Sequence, residues 1–474
     1  MTEPLPSPIT DSSALDLSDA IRRREVSCVD VVRAHLDRID ELDGEFHALI
    51  SRRPRDEALG EAAERDDEIA RGEWRGWMHG LPHAVKDLSD VRGLPTTAGF
   101  RSLSDTVAAP QDEPFVARIR EAGAVFIGKT NTPEFGLGSH TYNAIGPTTG
   151  NIVDPTLSAG GSSGGASVAV AAGMVPVADG SDFMGSLRNP PGWNGVIGLR
   201  PTPGLVLGRG ENPKSPGLGV DGPIARSVAD LAALLATLAE PGRFTPLEAR
   251  QPTEQLRVAW LGDLGGYLPF ENGVLEVSRE AVDRWSEKVE SVRLPSVGTF
   301  TGSDQLWAAW VALRHAEVGD WLCSNFDERV IAEMKPEARW EIDGFRALTG
   351  RQLDYARQVQ HDLRRSVLGL LAEFDLLALP TAQCWPFPAH QHWPSSVAGV
   401  EMDTYHRWME VTTLATLAGC PALAVPAGVN KAGLHIGLQL IGRPGGEPEL
   451  LSWAAGAERS GAFSVAKPSR AAGR

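Results

Sequence analysis

Three side chains in this sequence are of types that do nucleophilic chemistry together: Lys86, Ser162 and Ser186. Lys86 closes the short apolar run Gly80-Leu81-Pro82-His83-Ala84-Val85-Lys86-Asp87. Ser162 lies in Gly160-Gly161-Ser162-Ser163-Gly164-Gly165, and Ser186 ends Gly180-Ser181-Asp182-Phe183-Met184-Gly185-Ser186. Glycines admit positive φ and close backbone approach, so two such turns can aim amide N–H groups and a hydroxyl at one point. A serine hydroxyl is a poor nucleophile at neutral pH and needs a base within hydrogen-bond reach. None of the eleven histidines sits in a Gly-x-Ser-x-Gly elbow, the common setting of a serine–histidine pair on an α/β sheet. A lysine serves instead if burial lowers its pKa enough to keep it neutral. Each signal is weak alone, since a lysine after a strand is ordinarily solvated and a glycine-rich turn before a helix often binds an anion or closes a loop.

The elements that must position these residues alternate. Leu15–Arg24 and a helix opened by the capping box Ser27-Cys28-Val29-Asp30, with Val32, Leu36 and Ile39 at helical spacing, form an amphipathic cover. A strand is expected at Glu45–Ser51 and a charged helix at Arg55–Arg71. The lysine-bearing strand, a helix at Phe115–Ala122 and a strand at Ala124–Gly128 then follow in the strand–helix–strand order of α/β folds. Met174–Ala178 and Gly195–Leu199 read as buried strands, and Ser227 caps a helix over Leu231–Leu238. Beyond about Pro241, long helical patterns (Gly273–Val289, Gln305–Asn325, Arg351–Leu371) alternate with strands at Val258–Trp260 and Leu376–Leu379. No repeat period and no low-complexity linker divides the halves. The proline-rich, apolar stretch Pro380–Pro388, continuing to His392-Trp393-Pro394, is expected either to wall a pocket or to pack against the domain.

Composition bounds the partners. The 474 residues allow one large sheet-based domain, and a formal charge of −16 offers no basic patch to a phosphate backbone. No nucleic acid is expected. Cys28, Cys323, Cys384 and Cys420 are far apart and form no CxxC pair, which points to neither zinc nor a disulfide framework. The N-terminus has no basic start or apolar core, and Ser167–Ala178 is too short to span a bilayer, so a cytoplasmic protein without a membrane partner is expected.

Taken together, GLPHAVKD, GGSSGG and GSDFMGSLRNP, in this order, resemble the amidase signature family. The similarity extends to KTNTPEFGLGS, GLRPTPG, GPIARSVADL and GLQLIGRPGG, covers nearly the whole chain and is densest between Gly80 and Asp230. The resemblance implies a single α/β domain over residues 1–474, a central twisted mixed β-sheet covered by helices on both faces. Within it, residues 1–12 are a tail, 80–230 the catalytic core and 245–440 the variable pocket region. It implies Ser186 as nucleophile, Ser162 as bridging serine after a cis Gly161–Ser162 peptide, and Lys86 as general base. Phe183, Met184, Gly185 and Ser186 would supply oxyanion N–H groups, and Asp182 and Arg188 would brace the turn. No cofactor and no metal are implied.

The sequence departs from the common family pattern at Ser181, where threonine is usual, at Met184, in place of a glycine, and at Leu157, where many members carry arginine. A thioether at position 184 favours a hydrophobic acyl or aryl group beside the nucleophile. Met184, Trp385 and Phe387 are thus the expected substrate-binding side chains. The expected reaction is hydrolysis of small-molecule amides, with aryl amides, oligoamides and carbamates (urethanes) as candidate classes and a homodimer as the assembly. The rivals are a glutaminase that supplies ammonia within an amidotransferase complex, and a non-catalytic binding protein on the same fold.

Overall fold

The computed structural model describes residues 8–208, 217–246, 256–286, 288–292, 294 and 304–465. Among these, thirteen strands occur: β1 (Leu49–Arg52), β2 (Pro82–Lys86), β3 (Val125–Thr130), β4 (Val177–Asp182), β5 (Ile197–Arg200), β6 (Val220–Ala225), β7 (Arg257–Trp260), β8 (Lys288–Ser291), β9 (Leu376–Pro380), β10 (Ser396–Val397), β11 (Val400–Glu401), β12 (Ala422–Val429) and β13 (His435–Ile441). Eight form one twisted sheet in the order β4-β6-β5-β12-β13-β9-β7-β8, and β1-β3-β2 form a second. The large sheet is mixed: β12 runs antiparallel to both β5 and β13, while β7 runs parallel to β8 and β9.

The two sheets meet where the chemistry-bearing residues lie. Asp179 of β4 accepts the Lys86 N–H of β2 at 3.1 Å and bonds His83 Nε2 at 2.9 Å, all three residues being buried. Behind this junction runs the helix Gly164–Ala171, small and apolar but for Ser167, whose hydroxyl donates back to the Ser163 carbonyl, and buried over its whole length. A helix with no polar face belongs in a core. The amphipathic helices take the outside: Cys28–Phe46 starts on the Ser27 cap, whose side chain accepts the Asp30 N–H, and buries Val32, Leu36 and Ile39. The result is a single α/β domain whose large mixed sheet is flanked by helices.

Three of the boundaries that differ from the sequence reading have a visible cause. The strand expected at Glu45–Ser51 begins only at Leu49, because the preceding helix continues to Phe46 and turns at His47 in the left-handed region, while Asp43 Oδ1 accepts the Ala48 and Leu49 N–H groups. The strand expected at Met174–Ala178 is displaced to Val177–Asp182, since pairing with β6 runs through to Asp182 opposite Val220. The helix expected over Gly273–Val289 stops at Trp285, and the residues after it pair as β8 alongside β7.

Candidate active site

Lys86 is the last residue of β2 and is 1% exposed. Its Nζ lies 2.8 Å from Ser162 Oγ, 2.9 Å from Ser163 Oγ and 2.8 Å from Ser181 Oγ. Burial lowers its pKa to about 7, against the opposing pull of the Asp221, Asp179 and Asp182 charges. A neutral amine has two protons to donate and one lone pair. Three hydroxyl neighbours match that count, with the lone pair directed to one of them.

Of the three hydroxyls, only that of Ser162 continues onward. Its Oγ is 3.0 Å from Ser186 Oγ, and its backbone N–H donates to Ser186 Oγ at 2.8 Å. The Gly161–Ser162 peptide is cis. Ser163 Oγ instead donates to the Ser181 carbonyl at 3.1 Å. The residue before Ser162 must be glycine, because a Cβ at Gly161 would stand 2.5 Å from His140 N.

The turn that carries Ser186 is fixed by Asp182 and Arg188, both fully buried. Arg188 grips the Asp182 carboxylate with Nε and Nη2, each at 2.9 Å, and also donates to Thr412 O, Gln439 Oε1 and Thr416 Oγ1. Burial by itself would raise the Asp182 carboxyl, but the charge and hydrogen bonds of Arg188, with Arg200, hold it well below the ordinary carboxylate range. Asp182 accepts the Gly185 N–H at 2.8 Å and the Leu187 N–H at 3.1 Å. This corrects one expectation: the Gly185 N–H, assigned to an oxyanion, is already bound to Asp182. The N–H groups of Phe183, Met184 and Ser186 have no acceptor among the described residues.

Ser162, Ser181, Asp182 and Phe183 open on a cavity of about 1100 Å³. Its apolar lining includes Leu88, Phe135, Leu137, Leu218 and Trp321, and its polar lining includes Arg314 and Glu317. Met184, Trp385 and Phe387 do not line it. Met184 is 3% exposed and packs in the core. Trp385 turns its ring N–H to Asn272 O at 3.1 Å, and Phe387 packs edge-on against Trp193, Trp408 and His140. The proline-rich loop therefore packs against the domain, which leaves the cavity to other residues. Among the described residues no group of three or more His, Cys, Asp or Glu is placed to hold a metal ion, and no helix is long and apolar enough to cross a membrane.

A family model described as Amidase matches residues 30–451. The chain belongs to the amidase signature family. An acylamidase from Rhodococcus erythropolis is 32% identical over 479 residues, covering 96% of this chain and 97% of the relative. The A subunit of a glutamyl-tRNA(Gln) amidotransferase from Moorella thermoacetica is 34% identical over 96% of this chain and 98% of its own. Among solved structures, a bacterial aryl acylamidase of the same family superposes with a TM-score of 0.86 at 27% identity, covering 96% and 98% of the two chains. This amidase is accordingly an enzyme that hydrolyses amide C–N bonds.

Two features of the amidase site escaped the sequence reading. His140 Nε2 donates to the Ala389 carbonyl at 3.0 Å, since a carbonyl oxygen can only accept. Nδ1 is then the bare nitrogen that accepts a hydrogen bond from the Ser158 hydroxyl at 2.6 Å, and Ser158 Oγ in turn accepts the Gly160 N–H at 3.0 Å. Burial lowers the imidazole pKa to about 4, so it stays neutral in this chain of bonds. The second feature is Lys129, whose Nζ pairs with Asp87 at 3.1 Å and donates to Ser89 O and Thr96 Oγ1, tying down the segment just after Lys86. A histidine two residues before the Tyr142-Asn143 loop and a lysine inside KTNTPEF carry no spacing that names such partners.

Proposed function

We propose that this amidase cleaves its substrate by acyl transfer to Ser186, with Ser162 as the bridging hydroxyl and Lys86 as the base. The observation that carries the reading is the unbroken path from Lys86 Nζ to Ser162 Oγ at 2.8 Å and on to Ser186 Oγ at 3.0 Å. Lys86 with a pKa of about 7 holds an available lone pair near neutral pH. It takes the Ser162 proton while Ser162 takes that of Ser186, whose oxygen bonds to the carbonyl carbon. The tetrahedral oxyanion is held by the free N–H groups of Phe183, Met184 and Ser186, donors of the kind whose individual loss costs roughly 3–4 kcal/mol. The proton returns along the same path to the leaving nitrogen, the C–N bond breaks, and water clears the acyl-enzyme by the reverse relay.

The substrate class follows from the cavity. Its lining by Leu88, Phe135, Leu137, Phe183 and Trp321 favours bulky apolar or aromatic amides, anilides among them. The acylamidase and aryl acylamidase relatives support this reading. Carbamates and esters present the same carbonyl and are expected as further substrates. The second reading, a glutaminase serving an amidotransferase, is favoured by the 34% identity to the amidotransferase relative. A screen of p-nitroanilides, primary amides including glutamine, and carbamates separates the two. Anilides and carbamates should be turned over faster than glutamine, and Ser186→Ala and Lys86→Ala should lose every class together. Glutamine as the preferred substrate would overturn the assignment.

A further inference from the structure

The helical stretch from Gln305 to Asn325 is interrupted by a π-turn at His315–Gly319. Such wide turns are rare and recur at functional sites. Here the turn brings Arg314 and Glu317 to the wall of the cavity onto which Ser162 opens. The two do not pair with each other. Arg314 Nε donates to Glu341 Oε1 at 2.5 Å and Nη2 to Tyr405 Oη at 2.7 Å, with the guanidinium carbon 5.1 Å from the centre of the Phe183 ring. Its remaining nitrogen, Nη1, has no acceptor among the described residues and is not sealed from the cavity. Glu317 accepts the Leu218 N–H at 3.0 Å, and its oxygens keep lone pairs to spare.

One wall thus offers a free N–H donor and a carboxylate acceptor three residues apart, beside the ring of Phe183. We infer that Arg314 Nη1 and Glu317 form a recognition site for a second, non-scissile amide-like group of the substrate, a terminal carboxamide or ureido group. Such groups present a carbonyl oxygen and a syn N–H along a single edge, whereas a trans secondary amide points them in opposite directions and fits one wall with only half its hydrogen bonds. Glu317 decides between an amide and a carboxylate. A carboxylate in this place would turn an oxygen that carries no proton to the Glu317 carboxylate, whereas a carboxamide gives Glu317 an N–H to accept while its carbonyl takes the Arg314 N–H. The inference rests on the amidase reading and names the substrate class of the same site.

Three p-nitroanilides of nearly equal shape test it: those of succinamic acid, succinic acid and 4-methylpentanoic acid, which end in a carboxamide, a carboxylate and an isopropyl group. The wild-type enzyme should favour the carboxamide over the isopropyl compound by about tenfold in kcat/KM, the worth of roughly one net hydrogen bond, and should turn over the carboxylate slowest. Arg314→Lys and Glu317→Gln should each collapse the carboxamide-to-isopropyl ratio towards one. A structural role would slow all three compounds alike and leave the ratio where it was. A wild-type preference for the isopropyl or carboxylate compound, or a ratio unchanged in both variants, overturns the inference. The wild-type order decides alone if neither variant folds. Hydrolysis of none of the three by wild-type enzyme would count against the amidase reading itself.

Discussion

Lys86 Nζ has three hydroxyl partners within 2.9 Å and is shut off from solvent, whereas Trp321, which lines the cavity onto which Ser162 opens, leaves 49% of its surface uncovered. The floor around Lys86 and Ser186 is made of small residues and buried ion pairs: Asp182 with Arg188 and Arg200, Asp87 with Lys129. The wall from Gln305 to Asn325 is made of large side chains around an irregular helix turn. Acyl transfer tolerates little displacement of the reacting atoms, while the fit of a substrate tail can be altered one contact at a time. On the proposed mechanism the floor sets the reaction and the wall sets what enters.

The comparison is broken if floor and wall variants have similar effects. Ser186→Ala should lower kcat by about 10⁴-fold or more and Lys86→Ala by about 10³-fold, followed as p-nitroaniline release. Arg188→Met leaves the Asp182 carboxylate buried without its main partner, and urea denaturation should show a loss of about 3–5 kcal/mol. His140→Ala removes the acceptor of the Ser158 hydroxyl and loosens the turn before Ser162. Kinetics should show kcat lowered about tenfold and KM little changed, the sign of a displaced reacting group. On the wall, Trp321→Ala should raise KM severalfold for anilides with bulky acyl groups and less for acetanilides. Trp385→Ala, away from the cavity, should change kcat/KM less than twofold, and a larger effect there would redraw the binding region.

The same contrast explains how much was legible beforehand. The serine turns and the lysine-bearing strand could be read because glycine-rich spacing and the demand of a serine for a base constrain residue type directly. Strand and helix positions followed from periodicity, with errors where pairing or a cap overrode it, as at Asp43 and at Asp182 opposite Val220. The Gly185 N–H, expected to face an oxyanion, is taken by Asp182, a contact that no spacing in the sequence reveals. His140 and Arg314 were passed over for the same reason. Their partners, Ala389 and Glu341, lie far off in sequence or on another helix, and a single charged or imidazole residue leaves no pattern. Trp385 and Phe387 drew attention as aromatics in a proline-rich loop, yet aromatics fill cores as readily as they line pockets.

The relay itself is tested most directly by the rate at which a fluorophosphonate labels Ser186 as a function of pH, read by peptide mass spectrometry. Because the folded-state pKa of Lys86 is lowered to about 7, its lone pair is available above that value and lost to protonation below it. Labelling in the wild type should rise with pH to a plateau with a midpoint near 7, and in Lys86→Ala it should be slow and lack that step. Label on another residue, or an identical pH profile in the variant, would contradict the account.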